Sequence, residues 1–327
     1  MKVLFIGGTG IISSACAHRC LELGMDLYLF NRGQSRRPEP ENAKILRADY
    51  RNTDQVRDVL NGMIFETVVD FIAFTEDHVR RDVELFTGKT RQFVFISSAS
   101  AYQTPPESLP VTEATSLDNP YWKYSRDKIS CEQFLMRAYR ETGFPVTIVR
   151  PSHTYDRMSV PFPGGPILFH RAKQGKKIVI HGDGTSLWTL THHTDFAVGF
   201  SGLLGKNAAI GETYHITSDE ILPWNQIGRL LLKSAGLEAE ILHLPSEFMA
   251  KYHAEFGAGL LGDKMHSMVF DNSKIKAIVP EFGCKIPFAE GVKEIGEWYK
   301  SHPDDFPVDH DLDAAMDRMI ADYESIP

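Results

Sequence analysis

The stretch VLFIGGTGIIS (residues 3–13) decides the fold class of this chain. A short apolar run predicts a buried strand, glycines break it, and apolar residues at helical spacing then continue to Gly24. Gly7 and Gly10 have the G-x-x-G spacing at which a tight turn lets a pyrophosphate approach backbone N–H groups at a helix N-terminus. Ser13 stands where a third glycine is usual, and its small side chain suits close helix–strand packing. The stretch predicts a strand, a nucleotide-binding turn and a helix, with a purely structural turn as the alternative.

Strand-like and helix-like segments alternate from this turn to Pro151. Such alternation predicts an α/β fold with a doubly wound parallel sheet (Rossmann), covered by helices on both faces. After Pro151 the rhythm changes, and residues 152–166 are rich in proline and glycine, as in a loop over a site. A short strand, a GDG turn and a helix opening near Asp195 follow. We predict a nucleotide-binding domain over residues 1–160, rejoined by about 190–220, and a smaller α/β substrate-binding domain over 161–327. The strand-like runs are 3–7, 26–31, 43–49, 67–74, 92–98 and 145–151, and the helical runs between them are 11–24, 53–62, 77–88 and 125–143.

The composition is that of an ordinary globular protein. The 327 residues are 43% hydrophobic and 24% charged, and the net charge of −8 argues against broad binding to nucleic acid or to anionic membranes. No apolar run is long enough to span a bilayer, and the N-terminus indicates a buried strand, not a signal peptide. The cysteines form no C-x-x-C pair and are expected to be buried, reduced thiols of a cytoplasmic protein. They are Cys16, Cys20, Cys131 and Cys284.

The end of the second strand bears on the choice of dinucleotide. An acidic residue there would bind the ribose hydroxyls and favour NAD, but this chain has Asn31 followed by Arg32. The missing acid and the arginines favour a 2′-phosphate, and therefore NADP over NAD. Arg32 is the stronger candidate, because Arg36 and Arg37 also fit a solvated loop. Asp49, after the third strand, fits either a contact with the adenine edge or a plain turn.

A second motif lies in NPYWKYSRDK (residues 119–128). Tyr124 and Lys128 are four residues apart, so on a helix their side chains share a face, whereas Tyr121 has no lysine at that spacing. A lysine close to a phenol favours the phenolate and is expected to lower the pKa of Tyr124 towards working pH. Such a tyrosine passes a proton to or from a substrate oxygen. An ordinary surface helix is the alternative.

Three segments in order, GGTGIIS, FISSASAY (residues 95–102) and YSRDK (residues 124–128), resemble the extended short-chain dehydrogenase/reductase family, the NAD-dependent epimerase/dehydratase group. The resemblance implies that Ser98 holds the substrate oxygen, that Tyr124 is the general acid/base, and that Lys128 tunes it and holds the nicotinamide ribose. The alternative is a strand-end serine and a plain helix face. The expected cofactor-binding residues are Gly7, Thr9, Gly10, Ile11, Ile12, Asn31, Arg32, Asp49, Ala73, Tyr124, Lys128 and Pro151.

Departures from the family pattern bear on the substrate, which is expected to be a sugar or sugar derivative. Sugar dehydratases of this family carry an Asp-Glu pair directly after the hydroxyl residue, whereas this chain has Ala99 and Ser100, so a 4,6-dehydratase is not expected. Related epimerases have an arginine after the GDG turn that holds a diphosphate, and Trp188 stands there instead. Ser100, His153, Tyr155 and Trp188 are the expected substrate contacts, with plain packing as the alternative for the last three.

The adjacent His192 and His193 raise the question of a metal. Neighbouring histidines project differently and no third ligand is evident in the sequence, so no metal site is expected. Some members of the family bind RNA, which leaves an NAD(P)-binding or RNA-binding scaffold as the alternative function. The resemblance also implies a possible homodimer through the helical segments 77–88 and 125–143.

Overall fold

A computed structural model describes residues 1–326 and confirms the predicted α/β class. Helices alternate with strands up to residue 151, as the sequence predicts, except that β2 and β3 follow one another without a helix. The strands are β1 (Lys2–Ile6), β2 (Asp26–Asn31), β3 (Lys44–Arg47), β4 (Phe65–Asp70), β5 (Thr90–Ile96), β6 (Val146–Pro151), β7 (His153–Tyr155), β8 (Ile178–His181), β9 (Leu187–Trp188), β10 (Leu190–His192), β11 (Thr213–Ile216), β12 (Leu222–Pro223) and β13 (Ile241–Leu244).

The α-helices range from one turn to twenty residues. They are α1 (Ile11–Glu22), α2 (Thr53–Val59), α3 (Glu76–Phe86), α4 (Lys123–Thr142), α5 (Ile167–Lys173), α6 (His193–Leu203), α7 (Trp224–Ala235), α8 (Ser246–Met249), α9 (Ala254–Gly259), α10 (Ser273–Ile278), α11 (Phe288–Ser301) and α12 (His310–Glu324). A π turn, Leu260–Lys264, follows α9. Within residues 1–326, none of these helices is both long and apolar enough to cross a bilayer.

One seven-stranded sheet organises the first part of the chain. Its order is β11-β6-β5-β4-β1-β2-β3, and every neighbouring pair is parallel. The strand order reverses between β1 and β4, so the chain leaves the two central strands in opposite directions. In open α/β sheets, a crevice for ligands forms at this reversal, beyond the carboxyl ends of the strands.

The alternation of buried side chains along β1 explains why both faces of the sheet are covered. Val3 and Phe5 pack on the side of α1 and α6, together with the buried Cys16. Leu4 and Ile6 pack on the opposite side with residues of α3 and α4. All four β1 side chains are fully buried. A strand that is apolar on both faces needs helices on both faces, which is the doubly wound arrangement.

The second part of the chain is built from short strand pairs and helices. β7 pairs with β10 and β8 with β13 in parallel, whereas β9 pairs with β12 antiparallel. The sequence predicted a loop throughout 152–166, but β7 lies within it; three residues carry no period from which a strand is recognised. Helix α6 begins at His193, before the predicted start near Asp195. The boundary near residue 160 stays a prediction, and β11 lies beside β6 in the large sheet.

Candidate active site

The glycine turn between β1 and α1 is closely packed against neighbouring strands. Gly7 and Gly8 have φ angles of +90° and +131°, which disfavour residues with a side chain. A Cβ on Gly7 would lie 3.1 Å from Ile72, and one on Gly8 would lie 2.9 Å from Leu29. The Ser13 hydroxyl accepts a hydrogen bond from the N–H of Gly10 at 2.7 Å. The serine at the third glycine position therefore also stabilises the start of α1.

A cleft of about 860 Å³ opens at the carboxyl edge of the sheet, and we call it the main cleft. Its volume is within the range of small-molecule sites. Of the residues expected to bind a cofactor, Ala73 does not line it, although its carbonyl oxygen contacts Lys128. The others all line the main cleft: Gly7, Thr9, Gly10, Ile11, Ile12, Asn31, Arg32, Asp49, Tyr124, Lys128 and Pro151.

The arginines after β2 have different surroundings. Arg32 is exposed on the rim of the main cleft and, among the residues that the structure describes, forms no ion pair. Arg37 instead makes a bidentate pair with Asp156, at 2.7 and 3.0 Å. Arg36 lies 3.8 Å from Asp305. The Arg37 guanidinium is thus engaged by the Asp156 carboxylate, a contact that the sequence analysis did not foresee.

Arg47, at the end of β3, is an arginine of this region that the sequence analysis missed. Its guanidinium donates to the side-chain oxygen of Asn31 and to both carboxylate oxygens of Glu39. The Asn31 oxygen also accepts from the N–H of Gly33 at 2.9 Å. The end of β2 thus lies between Arg32, which forms no ion pair within residues 1–326, and Arg47, which pairs with Glu39. The sequence of β2 does not reveal the second arginine, because it lies on β3.

Lys128 is buried between the ends of two strands. Its ammonium donates to the carbonyl oxygen of Ala73 at 2.7 Å and to that of Ile96 at 2.8 Å. An ammonium group has three N–H donors, so one remains for a ligand in the main cleft. Burial lowers the pKa of Lys128 to about 8, because a low-polarity environment disfavours its charged form.

A buried carboxylate at the end of β4 holds the loop that Lys128 contacts. The Asp70 side chain accepts hydrogen bonds from the N–H groups of Ile72 at 2.6 Å and Ala73 at 2.8 Å. Behind it, Asp82 lies 2.7 Å from the Tyr50 hydroxyl. Burial raises the pKa of Asp82 well above its usual range, and the charge of Asp70 acts in the same direction. The sequence analysis missed this group, whose effect on Lys128 passes through the backbone of Ala73 and through charge.

Tyr124 lies on the first turn of α4, and its pKa is shifted in the direction opposite to the prediction. Burial raises the pKa of Tyr124, the charge of Asp263 adds to this, and the Ser98 hydroxyl beside it acts in the lowering direction. The predicted lowering by Lys128 is wrong for this structure. The lysine nitrogen lies 5.8 Å from the phenol ring centroid, and two of its three donors point to backbone carbonyls.

Ser98 belongs to a short chain of hydroxyls. Its oxygen lies 2.9 Å from that of Ser100, which accepts a hydrogen bond from Ser125 at 2.8 Å. Ser125 is on α4 next to Tyr124, so this chain joins the end of β5 to the helix that carries the tyrosine. The arrangement fixes the orientation of Ser98 and leaves room for a hydroxyl-bearing ligand to join the chain.

A second space of about 240 Å³, the side cavity, adjoins the main cleft. Ser98, Tyr124 and His153 line both spaces, and so do Pro151 and Ser152. The side cavity has walls that include Ser100, Trp188 and His153, all expected as substrate contacts. The residues that the sequence analysis missed are Trp122, Asp263, Lys264, Met268 and Phe270.

Tyr155 is absent from both cavities, contrary to its expected role. It is fully buried and packs edge-on against Phe288, with ring centroids 5.2 Å apart, and against His192 at 5.3 Å. His153 lines the cavity at the start of β7, whereas Tyr155, two residues farther along the strand, is covered by Phe288 and His192. The packing alternative is therefore the right one for Tyr155.

The π turn contributes a pair of opposite charges to the side cavity. The Lys264 ammonium lies 3.0 Å from the Asp263 carboxylate and 5.5 Å from the Trp122 ring centroid. The carbonyl of Lys264 accepts a hydrogen bond from the Trp224 indole at 3.2 Å, which fixes the turn. Burial lowers the pKa of His153 to about 3, and the charge of Lys264 acts in the same direction, so this histidine is neutral.

The family model of the NAD dependent epimerase/dehydratase family matches residues 3–217. The chain belongs to this family. The match confirms the resemblance inferred from the three sequence segments and makes an enzyme the expected class. The matched range contains the glycine turn, Ser98, Tyr124 and Lys128, and it ends before Asp263 and Lys264.

Curated relatives of this chain share about a quarter of its residues. A chloroplast stem-loop binding protein of 41 kDa from Arabidopsis thaliana is 27% identical, over 76% of this chain and 67% of the relative. A trifunctional UDP-glucose 4,6-dehydratase, epimerase and reductase from the same plant is 23% identical, over 93% of this chain and 47% of the relative. A dTDP-glucose 4,6-dehydratase from Streptomyces niveus is 24% identical, over 80% of this chain and 77% of the relative. The chain thus spans about half the length of the trifunctional protein.

Solved structures of similar fold are also related at low identity. An epimerase from Methanothermobacter thermautotrophicus has a TM-score of 0.76 at 17% identity, covering 93% of both chains. A UDP-glucuronic acid 4-epimerase from Bacillus cereus, in complex with UDP-glucuronic acid and NAD, has a TM-score of 0.73 at 20% identity, covering 92% of this chain and 99% of that one. These likenesses confirm the Rossmann-type fold of the chain.

Proposed function

We propose that this protein is an NAD(P)-dependent oxidoreductase or epimerase that acts on a sugar or sugar derivative. The observation that carries the proposal is the meeting of two cavities at Tyr124 and Ser98. A reaction between a dinucleotide and a small molecule needs both bound with the acid/base group at their boundary. The glycine turn supports a dinucleotide in the main cleft, because a Cβ on Gly7 or Gly8 would crowd its neighbours.

A nicotinamide dinucleotide bound in the main cleft would supply or take up the hydride, and the residues of this chain would bind it, orient the substrate and move the proton. Tyr124 gives a proton to, or takes one from, the substrate oxygen that changes between alcohol and carbonyl. Its raised pKa keeps the phenol neutral at rest, in the form that donates. Ser98 orients the same oxygen from the hydroxyl chain, and the third N–H of Lys128 is free to hold the ribose.

NADP is the dinucleotide that we propose this chain prefers. Arg32 supports this, since it is unpaired on the rim of the main cleft and follows Asn31 where an acid would favour NAD. Several structural neighbours were solved with NAD, including the Bacillus cereus epimerase and a dTDP-glucose 4,6-dehydratase from Bacillus anthracis. Arg32→Ser is expected to lower NADPH affinity about tenfold with little effect on NADH, measured by fluorescence titration.

We propose one sugar ring as the occupant of the side cavity. Trp122 and Trp188 offer apolar ring faces, and the Asp263–Lys264 pair offers an acceptor and a donor for neighbouring hydroxyls. Although several relatives are 4,6-dehydratases, we propose no elimination step, because Ala99 and Ser100 stand where the Asp-Glu pair of those enzymes is expected. The net reaction is then oxidation, reduction or epimerisation.

The proposal is tested first by identifying the nucleotide that the purified protein releases on denaturation, then by titrating the stripped protein with NADPH and NADH. Tyr124→Phe is then expected to lower turnover by about 10²- to 10⁴-fold, because it removes the acid/base group, while dinucleotide affinity changes little. Tyr121→Phe is the matched control, since that tyrosine is 45% exposed and lines neither cavity. Equal activity of the Tyr124 variant and wild type would refute the assignment.

An RNA-binding scaffold is the second candidate, favoured by the stem-loop binding relative. This function predicts that micromolar protein shifts the mobility of a stem-loop RNA. The shift should weaken as the salt concentration rises, because contacts with phosphates release counterions. The net charge of −8 argues against it. Failure to bind either dinucleotide, together with such a shift, would move the assignment to the scaffold.

A further inference from the structure

A cluster of possible metal ligands lies outside both cavities. His192 ends β10, His193 begins α6, and Glu294 projects from α11. The Nε2 atom of His192 lies 3.5 Å from a carboxylate oxygen of Glu294. One ligand atom from each of the three side chains lies within 4.8 Å of the others. No metal site was expected because the sequence shows no third ligand beside the two histidines. The fold brings Glu294 of the distant helix α11 to that position.

Two ring nitrogens of this cluster have no hydrogen-bond partner. They are Nε2 of His192 and Nδ1 of His193, and both atoms are buried. Buried polar atoms are nearly always paired, so two such atoms on neighbouring rings, with centroids 4.6 Å apart, point to a missing ligand. The other ring nitrogen of His192, Nδ1, lies 2.7 Å from the Thr194 hydroxyl and 3.4 Å from the Thr194 backbone N–H. A metal ion at Nε2 requires the tautomer in which Nδ1 carries the proton and donates it to the Thr194 hydroxyl.

We propose that His192, His193 and Glu294 bind a divalent cation, and that Zn²⁺ is the ion that suits them. Two imidazole nitrogens and one carboxylate oxygen form a common protein ligand set for zinc, and water takes the remaining position. Glu294 is 48% exposed, so the ion reaches the site from solvent. The N-terminus of α6 opposes a cation there, and the carboxylate of Glu294 offsets this.

The role that follows from the position is structural. His192 pairs in register with Tyr155 of β7, the strand whose first residue, His153, lines the side cavity. An ion bound by Glu294 and the two histidines would link α11 to the β7–β10 pair. It would thereby stabilise the strand that positions His153 in the side cavity. His192, His193 and Glu294 line neither the main cleft nor the side cavity, so we assign the site no part in hydride or proton transfer.

The test uses the full chain, stripped with a chelator and titrated with zinc chloride by calorimetry. We expect one zinc ion to bind per chain. We expect a Co²⁺-loaded sample to show the visible absorption of a site of low coordination number with nitrogen and oxygen ligands. Glu294→Gln is expected to weaken zinc binding by at least about tenfold. Glu290→Gln is the matched control on the same helix, because Glu290 is 62% exposed and pairs with Lys293. That variant should bind zinc as wild type does.

Three results would each overturn the proposal. One is no zinc binding by the wild-type protein at micromolar metal. Another is equal zinc affinity in Glu294→Gln, Glu290→Gln and wild type, which would place any bound zinc elsewhere. The third is a lower melting temperature of Glu294→Gln in the metal-free protein with no effect on zinc affinity, which would leave a plain hydrogen bond between His192 and Glu294. His193→Ala provides a second variant, and loss of the Co²⁺ spectrum is expected from it.

Discussion

The main cleft and the side cavity meet at Tyr124 but are built from different parts of the chain. The main cleft is lined entirely by residues between Gly7 and Thr154, mostly strand ends and turns within the range that matches the family model. The side cavity adds side chains from residues 263–270, beyond that range. In a parallel sheet, the carboxyl ends of all strands lie at the same edge, so the main cleft follows from the sheet itself. The far wall of the side cavity instead depends on where residues 263–270 pack. A substitution at a residue that lines only one of the two spaces should therefore leave the other unchanged.

Gly7→Ala should weaken dinucleotide binding in the main cleft and leave the side cavity unchanged. Of the substitutions that separate the two spaces, it should have the largest effect. The new methyl group would lie 3.1 Å from Ile72 at a φ of +90°, so the turn must move. We expect dinucleotide affinity to fall at least about 30-fold, measured by fluorescence titration, since the backbone must approach the pyrophosphate closely.

Gly24→Ala is the control for that substitution. Gly24 also has a left-handed φ, +73°, but a methyl group there meets nothing within 4 Å. Both variants should lose about 1–2 kcal/mol of stability from backbone strain, and only Gly7→Ala should lose dinucleotide binding. Equal affinity in the two variants would show that the turn does not hold the cofactor.

Lys264→Met changes the side cavity and leaves the main cleft intact, because Lys264 lines only the side cavity. Loss of a charged donor to a substrate hydroxyl is expected to raise KM about tenfold and to leave dinucleotide affinity unchanged. Lys251→Met, at an exposed lysine that lines neither cavity, is the control. A change of NADPH affinity in Lys264→Met would contradict the separation of the two spaces.

Asp70→Asn should have the smallest effect at neutral pH and a clear one in alkali. The charge of Asp70 raises the pKa of Lys128, which burial holds at about 8. The lysine is a cation below that pKa, so its contribution is lost as pH rises through it. Removing the Asp70 charge lowers this pKa further, and the alkaline limb of the pH–rate profile should move to lower pH. At pH 7, we expect turnover to change by less than about threefold.

Asp127→Asn is the control for the pH profile, because Asp127 lies next to Lys128 in sequence but pairs with Lys123 on the surface. In the Asp70→Asn variant, the side-chain amide oxygen can still accept from the N–H groups of Ile72 and Ala73, so the loop should keep its shape. An alkaline limb that stays in place would show that Asp70 acts only through the fold.

The parts of the molecule that depend on local chemistry were predictable from the sequence. The glycine turn, the strands up to β6 and the Tyr124–Lys128 spacing all follow from periodicity and turn residues within a few positions. Ser98 came from the family resemblance. Ser125, which donates to the neighbouring Ser100, did not, because that contact joins the segment after β5 to α4. The assigned roles of these residues stay proposals.

Contacts between distant segments were not predictable in the same way. Asp263 and Lys264 lie on a π turn that has no sequence period, and they reach the side cavity from far downstream. Tyr155 was assigned to the substrate because its ring and hydroxyl suit a sugar, but Phe288 of the distant helix α11 covers it in the core. The pKa of Tyr124 was predicted from one neighbour, whereas burial, which depends on the whole fold, decides its direction.

The ion pair between Arg37 and Asp156 has a kinetic consequence. The pair fastens the loop after β2, which forms one wall of the main cleft, to the second part of the chain. Opening that wall separates two largely buried charges, so a bound dinucleotide should have a long residence time and a slow rate of exchange. Enzymes that return the hydride to the molecule from which it came gain from such retention, because no second dinucleotide is needed between turnovers.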